Sequence, residues 1–226
     1  MIDPFNPSRP PRLELKRGDA VFVCEGKDDC ALVEHLTARW KFPPIVVTRN
    51  LEDKSDWNDQ FRTIVQQGLA RRIASIGVLF DAETNRRKSE KTIRNMFKAA
   101  EISPPSKAGL VQKRRVNGDT IKTGFFINPP GKSNGALETS FLPQVMESEI
   151  GGCLRKLRSC YRGIRRMKTI RENKVVVRTF LAHRRPYNTG LTLALAKSDL
   201  NCKRPEFEKL RKFIHLFAPP ELPLFD

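Results

Sequence analysis

The chain alternates between short apolar runs and longer stretches in which apolar residues recur every three or four positions. Residues 20–24, read AVFVC, lead without a polar break into Glu25, and residues 76–80 lead into Asp81. Continuous apolar runs of this length are typical of strands that are buried on both faces of a parallel sheet. The pattern therefore predicts two buried strands, each followed at once by a carboxylate.

Segments with helical spacing follow these runs. A further apolar run at residues 45–48 predicts a short strand between the first two helices, and the first and third helices should end before Pro43 and Pro104. Asp28 or Asp29 and then Ser55 are suited to cap the first turns of the first two helices. The helical stripes comprise Ala31, Leu32, His35, Leu36 and Trp40, then Trp57, Phe61, Ile64, Val65 and Leu69, then Ile93, Met96, Phe97 and Ala100. Alternation of strands and helices on this scale favours a parallel sheet with right-handed crossovers.

The pattern changes after the third helix. Residues 110–116 and 120–128 flank Asn117-Gly118, a dipeptide typical of a tight hairpin, so an antiparallel pair should extend the sheet. Beyond residue 151 the chain turns helical, with one apolar stripe at Leu154, Leu157, Tyr161, Ile164 and Met167 and further helices at residues 191–196 and 207–217. Residues 175–177, three valines, fit either a strand or a helix.

We therefore expect an α/β fold in which helices flank a mainly parallel sheet, with an antiparallel hairpin and a basic helical C-terminal segment. The expected division is a Pro-rich extended arm at residues 1–17, an α/β domain at 18–150, and the helical segment at 151–226.

Charge then indicates a partner. The 226 residues have a net charge of +17. Residues 151–226 contain eighteen Lys or Arg and six Asp or Glu, a balance of +12, which leaves +5 for residues 1–150. A concentrated positive charge usually serves contact with a polyanion, more often nucleic acid than a membrane, although a merely solvated helix face is the alternative. The predicted phosphate contacts in this segment are Arg155, Lys156, Arg158, Arg162, Arg165 and Arg166.

Cysteine usage and hydropathy bound the compartment. The five cysteines contain no C-x-x-C pair and the three histidines are scattered, which argues against a zinc site and a disulfide framework. Cys24 lies within an apolar run, which favours a buried, inert thiol. No apolar stretch approaches the ~20 residues of a membrane span. We expect a cytoplasmic protein that has no membrane partner.

The candidate chemistry lies in the acids. Carboxylates collected at the C-terminal ends of parallel strands are hard oxygen ligands that suit Mg²⁺ or Mn²⁺, and such a cation could activate a water for attack on a phosphodiester. Each acid also has an ordinary interpretation, Asp29 as a helix cap, Glu83 as a solvated loop residue and Glu138 as a first-turn carboxylate. The candidate ligands are Glu25, Asp29, Asp81, Glu83 and Glu138.

These residues carry a family resemblance. A strand that ends in Glu25-Gly26 with Asp29 beyond it, followed by a later strand that ends in Asp81-x-Glu83, resembles the Toprim domain. That domain occurs in type IA and type II topoisomerases, bacterial primases, overcoming-lysogenization-defect nucleases and ribosomal-RNA maturation nucleases. More narrowly, the order EGKDD, FDAETNRR and a Gly/Asn-rich loop into ALETSFL is similar to a Toprim-related bacterial family of uncharacterised proteins. The resemblance covers residues 18–142.

The resemblance implies a metal site with Glu25 as general acid/base or ligand and with Asp81 and Glu83 as ligands. It departs at Glu83, where the family motif has a second aspartate. Nuclease activity is the expectation, with Glu25, Asp81 and Lys27 as catalytic residues, and with Lys27 or Arg86 stabilising phosphate charge. Arg86 and Arg87 follow the motif where they could meet a phosphate. A tyrosine-bearing cleavage domain is not evident, which argues against a complete topoisomerase.

Other functions compete with this one. A nucleic-acid-binding or regulatory module that cuts nothing, alone, as a homodimer or with a partner protein, fits the same charge. Asp81-Ala82-Glu83-Thr84 also resembles the D-x-D-x-T loop of haloacid-dehalogenase phosphatases, although those enzymes place it on the first strand. Gly131-Lys132-Ser133 imitates the end of a nucleotide-binding P-loop, but Phe126 stands where the first glycine should be.

Overall fold

The fold is a mixed α/β structure in which helices flank a mainly parallel sheet, as expected. A computed structural model describes residues 15–38, 46–51, 56–131, 133–164, 169–184 and 190–217. The elements are, in chain order, β1 (Ala20–Cys24), α1 (Lys27–Thr37), β2 (Val46–Asn50), α2 (Trp57–Ala70), β3 (Ser75–Asp81), α3 (Arg86–Ala99), β4 (Val111–Val116), β5 (Asp119–Asn128), α4 (Leu137–Met146), α5 (Gly151–Ile164), α6 (Thr169–Arg184), α7 (Leu191–Ala196), a 3-10 turn (Pro205–Phe207) and α8 (Glu208–His215).

Five strands form one sheet in the order β2-β1-β3-β5-β4. β1 pairs in parallel with β2 and β3, and β3 pairs in parallel with β5. β4 pairs antiparallel with β5. Asn117 (φ 51°) and Gly118 (φ 88°) join these two strands, and positive φ at both turn positions is typical of a tight hairpin. The predicted antiparallel pair is confirmed. β3 and β1 occupy interior positions, so their ends lie at the middle of the sheet's C-terminal edge.

Side chains from the two faces of the sheet pack into two separate hydrophobic clusters. Val21 and Val23 of β1 belong to the cluster that includes residues of α2 and α3. Phe22 and Cys24 belong to the cluster that includes residues of α1 and α4 to α8. The strand period of two therefore divides one continuous apolar run between two cores, which explains why the run contains no polar residue.

The C-terminal segment packs on the sheet. The three valines predicted as strand or helix lie in α6, and Val176 and Val177 are fully buried in the cluster that also includes Phe22 and Leu79. Phe213 of α8 and Phe217 make ring contacts with Phe22, with centroids 6.3 and 4.9 Å away. Residues of α5, α6, α7 and α8 thus share one hydrophobic cluster with residues of β1 and β3, although the C-terminal segment differs sharply from these strands in charge.

Gly77 lets these aromatic rings approach the sheet. A Cβ atom built at Gly77 would lie 2.6 Å from Cε1 of Phe22, whose ring is fully buried. Gly77 pairs with Phe22 across the β1/β3 ladder, so the ring lies over the glycine backbone. The missing side chain at residue 77 is therefore a packing requirement.

Some local expectations differ from the structure or lie outside it. α1 begins after Gly26, so Asp28 and Asp29 lie inside its first turn and are not its N-cap. Ser55 lies outside the described residues, as do Trp40, Met167, Lys132 and residues 1–14 of the predicted arm. The end of that arm includes Leu15, which is buried against the cluster around Val23.

Within the described ranges, none of the helices combines the length and apolar character that crossing a bilayer requires.

We expect Gly77→Ala to lower the free energy of unfolding by about 1–3 kcal/mol, because the new methyl group must displace the buried ring of Phe22. Urea unfolding followed by circular dichroism measures the change. Gly163→Ala is the matched control, because a Cβ at this exposed position in α5 meets no described atom within 4 Å. That variant should be neutral or slightly more stable. Equal stability of the Gly77→Ala variant and the parent would contradict the packing argument.

Candidate active site

The site is built first from the ends of two neighbouring strands. Glu25 follows β1 directly, and its backbone N–H donates to the carbonyl oxygen of Leu79, 3.1 Å away, so the residue is held beside β3. Asp81 is the last residue of β3, and its backbone N–H donates to Oε2 of Glu25 at 3.2 Å. Parallel pairing of β1 with β3 thus brings together the first two acids that the sequence selected.

Two helix N-termini add further carboxylates. Asp29 lies in the first turn of α1 and Glu138 in the first turn of α4, and each residue is only 5% exposed. Burial raises the pKa of Asp29 well above its usual value, and the charges of Glu25, Asp28 and Glu138 raise it further. A backbone hydrogen bond at Gly26 acts in the opposite direction. The electrostatic effect of Glu25 and Glu138 on Asp29 means that these acids occupy one neighbourhood.

Asp81 belongs to the same group. Burial is the main cause that raises its pKa well above the usual value, and the charges of Asp29, Glu25 and Glu138 follow in that order. Lys174 lowers the pKa but does not outweigh them. In Glu138, too, burial raises the pKa against the opposing charge of Lys174. Folding therefore assembles carboxylates whose ionised forms disfavour one another.

Two carboxylate oxygens in this group find no hydrogen-bond partner among the described residues. They are Oδ1 of Asp29 and Oδ1 of Asp81, and both atoms are buried. The residues are 5% and 7% exposed, so water has little access to either side chain. A buried carboxylate oxygen without a partner is costly unless the group is protonated or a cation compensates it. These two oxygens are therefore the atoms of the acid group that most need a proton or a cation.

Glu83 lies at the outer side of the same edge. It adopts a positive φ of 47°, a conformation that is uncommon outside glycine. Its backbone N–H donates to the carbonyl oxygen of Gly135 at 2.7 Å, and the N–H of Gly135 donates back at 2.9 Å. This pair fastens the loop after β3 to the loop before α4. Oε1 of Glu83 lies 3.8 Å from Nζ of Lys174, with both side chains more than a third exposed.

Lys174, on α6, is a cation beside the acid group that the sequence did not select. Burial lowers its pKa, but the charges of Glu138, Glu83, Asp81 and Glu25 outweigh burial and hold the pKa above its ordinary value. Its only local signal is its position at the border of the apolar face formed by residues 176, 177, 180 and 181. This position identifies the border of the apolar face of α6, but it does not indicate which acids lie opposite Lys174.

α6 is held against the site by polar contacts next to Lys174. Nδ2 of Asn173 donates to Oγ1 of Thr139 at 3.2 Å, directly beside Glu138. Glu172 is 2% exposed and accepts hydrogen bonds from Arg158 and Arg162 of α5, one at each carboxylate oxygen. Burial works against the ionised form of Glu172, but the two guanidinium groups hold its pKa below the usual value.

The cations predicted to meet phosphate have diverse local environments. Lys27 and Arg87 are exposed on the first turns of α1 and α3. Nη1 of Arg86 donates to the carbonyl oxygens of Ile127 and Pro129, so this guanidinium supports a loop. Arg155 and Lys156 are exposed on α5, where Nη1 of Arg155 donates to the carbonyl oxygen of Met146, while Arg158 and Arg162 bind Glu172. Arg165 and Arg166 lie outside the described residues.

The donor set suits a hard divalent cation, although the carboxylates do not already stand as a ligand cage. In the described part of the chain, no group of three or more His, Cys, Asp or Glu is arranged to hold a metal ion. The unpaired oxygens of Asp29 and Asp81 nevertheless supply the ligand type that Mg²⁺ and Mn²⁺ prefer. Glu25, Glu83 and Glu138 lie in the same electrostatic neighbourhood. The residues present therefore fit such an ion.

The cysteines play no evident part in this chemistry. All five are free thiols. Cys24 is fully buried at the end of β1, and burial raises the pKa of its thiol well above the usual value. A thiol in this state is a poor nucleophile and a poor metal ligand, in keeping with the inert role predicted for it.

We expect Asp81→Asn to stabilise the metal-free protein at neutral pH. Since the pKa of Asp81 is raised in the folded state, the folded protein binds more protons than the unfolded chain above about pH 4, and this contribution to stability is lost as pH rises through the folded pKa. The amide keeps the shape and removes the charge. Urea unfolding in EDTA between pH 4 and pH 8 should show the variant gaining stability over the parent as pH rises.

Asp119→Asn is the control for that series. Asp119 is an exposed aspartate at the start of β5, which is the opposite end of the sheet from Asp81. Its removal should leave the pH dependence unchanged. A Asp81→Asn variant that is less stable than the parent at pH 7 in EDTA would contradict the electrostatic argument.

Comparison with known proteins gives a family and no function. None of the curated proteins and none of the solved structures that were searched matches the chain. One family model matches residues 19–218, which span the whole sheet, the acid group and all helices from α1 to α8. The chain therefore belongs to the family described as "Protein of unknown function (DUF3226)".

Proposed function

We propose that this protein is a nuclease that hydrolyses phosphodiester bonds in nucleic acid with the help of Mg²⁺ or Mn²⁺. The observation that carries the proposal is the pair of buried carboxylate oxygens, Oδ1 of Asp29 and Oδ1 of Asp81, that have no partner among the described residues. They lie at the C-terminal edge of a parallel sheet, which is where such sheets usually bind ligands. A divalent cation is the partner that best explains them.

The alternatives explain this observation less well. Protonation of the two aspartates could compensate their buried oxygens without a cation. That explanation would give the surrounding carboxylates no role. A phosphatase that uses Asp81 as nucleophile would leave Asp29 and Glu25 without a role. The Toprim resemblance supports the metal interpretation, because it selects Glu25, Asp81 and Glu83 for reasons independent of their burial. The net charge of +17 supports nucleic acid as the substrate.

Asp29 and Asp81 would hold the cation, with Glu25, Glu83 and Glu138 completing its surroundings. When bound, the cation supplies Lewis-acid activation of water and of the phosphodiester. Glu25 is held by the N–H of Asp81 at the mouth of the group, which suits it to take a proton from the attacking water. Lys27, exposed on the first turn of α1, can contact the phosphate as charge develops on it.

Free thiols throughout the chain favour a reducing compartment, and we propose the cytoplasm as the place of action.

Cleavage tests the proposal. Purified protein with Mn²⁺ should cut labelled DNA or RNA, and Glu25→Gln should lower the rate by about 10² or more, since it removes the general base. Asp81→Asn should abolish cleavage by removing a ligand. Asp119→Asn, which removes one exposed carboxylate at the other end of the sheet, should cut at the parental rate.

Two results would reject the nuclease proposal. One is cleavage that is unchanged in both Glu25→Gln and Asp81→Asn, which would indicate a contaminant. The other is hydrolysis of p-nitrophenyl phosphate that depends on Asp81 while DNA and RNA remain intact, which would indicate a phosphatase. Metal-independent binding of nucleic acid with no product under any cation would favour a binding module.

Metal binding can be tested without activity. Mn²⁺ should raise the free energy of unfolding, by about 2.7 kcal/mol at a hundredfold excess over its Kd, because it binds the folded acid group and not the unfolded chain. Calorimetric titration should show this binding lost in an Asp29→Asn/Asp81→Asn double variant and retained in Asp119→Asn. Equal Mn²⁺ affinity in the double variant and the parent would show that these two aspartates are not the ligands.

A further inference from the structure

The acid group creates an electrostatic difficulty for a phosphodiester substrate. Glu25, Asp29, Asp81, Glu83 and Glu138 converge on one edge, and an approaching phosphate carries the same sign of charge. One divalent cation offsets part of this repulsion, so further cations should face the same opening.

The cations selected from the sequence meet this need only in part. Arg158 and Arg162 both bind the buried carboxylate of Glu172, so two of the charges of α5 are paired within the protein. The guanidinium group of Arg86 donates hydrogen bonds to the carbonyl oxygens of Ile127 and Pro129. These arginines are structural in the described arrangement.

α6 provides a better placed row. Arg171, Lys174 and Arg178 follow one another at steps of three and four, which puts them within about 60° of one another around the helix axis and within about 10 Å along it. Arg171 and Arg178 are exposed, while Val176 and Val177 on another side of the helix are buried. The row therefore runs along the solvent side of α6, with the half-buried Lys174 at the border of the face that packs on α4 and α5.

The middle of this row reaches the acids. Nζ of Lys174 lies 3.8 Å from Oε1 of Glu83, and the neighbouring Asn173 is bonded to Thr139 beside Glu138. Arg178, one turn further, acts electrostatically on Glu138. The centre of the row thus lies 3.8 Å from one of the carboxylates, so a polyanion lying along α6 would reach the acid group.

We propose that Arg171, Lys174 and Arg178 form the track on which α6 binds the phosphate backbone of a polynucleotide, with Lys174 contacting the phosphate nearest the carboxylates. This inference rests on the proposed function for the identity of the polyanion, but it concerns binding and needs no cleavage. It moves the predicted contact surface from α5 to α6.

Binding in EDTA tests the track. Anisotropy of labelled duplex DNA and single-stranded RNA should show weaker binding by an Arg171→Gln/Arg178→Gln variant. The slope of log K against log salt should fall by about 1.8 on duplex DNA, because each phosphate contact contributes about 0.9. Lys174→Gln should weaken binding and Lys174→Arg should restore it, since the conservative variant keeps the charge.

The matched control is Lys91→Gln/Lys98→Gln. These two exposed lysines also stand seven residues apart on one helix, α3, whose buried residues Ile93, Met96 and Phe97 pack in the cluster on the other face of the sheet. The control removes the same charge from the same kind of helix and should keep the parental affinity and slope. Both exposed double variants change surface residues only, and circular dichroism verifies their fold.

The outcomes separate this inference from the nuclease proposal. Equal losses in the α6 and α3 variants would overturn the track, because only total charge would then matter, and so would no loss in α6 or no binding by the parent. Binding that depends on α6 without any cleavage would reject the nuclease and keep the track. Cleavage that depends on Glu25, combined with binding that the α6 substitutions leave unchanged, would support the nuclease and overturn the track.

Discussion

Mutual repulsion among buried carboxylates is the constraint on which the functional interpretation of this fold depends. Asp29 and Asp81 are removed from water and placed near Glu25 and Glu138, so each disfavours the ionised form of the others. Such an arrangement costs stability, and folding tolerates it only because the hydrophobic clusters on both sides of the sheet fix the strands and helices that carry the acids. The arrangement is easiest to understand as a site that a cation completes.

The C-terminal helices are part of this balance. α6 buries Val176 and Val177 in the hydrophobic cluster and packs on α4 and α5, and this packing places Lys174 3.8 Å from Glu83, where the carboxylates raise its pKa. Glu172, two residues before Lys174, binds two arginines of α5 and so joins α5 to α6. The same helix therefore neutralises part of α5 and offsets part of the acid group.

The proposed chemistry and the proposed binding surface complement each other. Positive charge near the acids offsets the repulsion among their carboxylates, and it also attracts the phosphate groups of a polynucleotide. In our proposal, the cations of α6 do both. The match to the DUF3226 family model spans residues 19–218, so it includes both the sheet and these helices. The Toprim resemblance covers residues 18–142, and the helical track on α6 lies beyond them.

The sequence by itself determined the strands and the first acids. The unbroken apolar runs before Glu25 and Asp81 predicted buried parallel strands, and Asn117-Gly118 predicted the hairpin, because strand burial and turn geometry depend on neighbours in the chain. Parallel strands align their ends at one edge, so the approach of Glu25 to Asp81 was also accessible from the sequence.

Only the tertiary structure decided which cations face those acids. The sequence showed a basic segment, but charge density alone does not tell which of its guanidinium groups bind a buried glutamate, as those of Arg158 and Arg162 do. Lys174 reaches Glu83 through the packing of α6 against α4, between residues about ninety positions apart in the chain. A contact of that kind depends on how whole helices pack, which no local pattern of residues encodes.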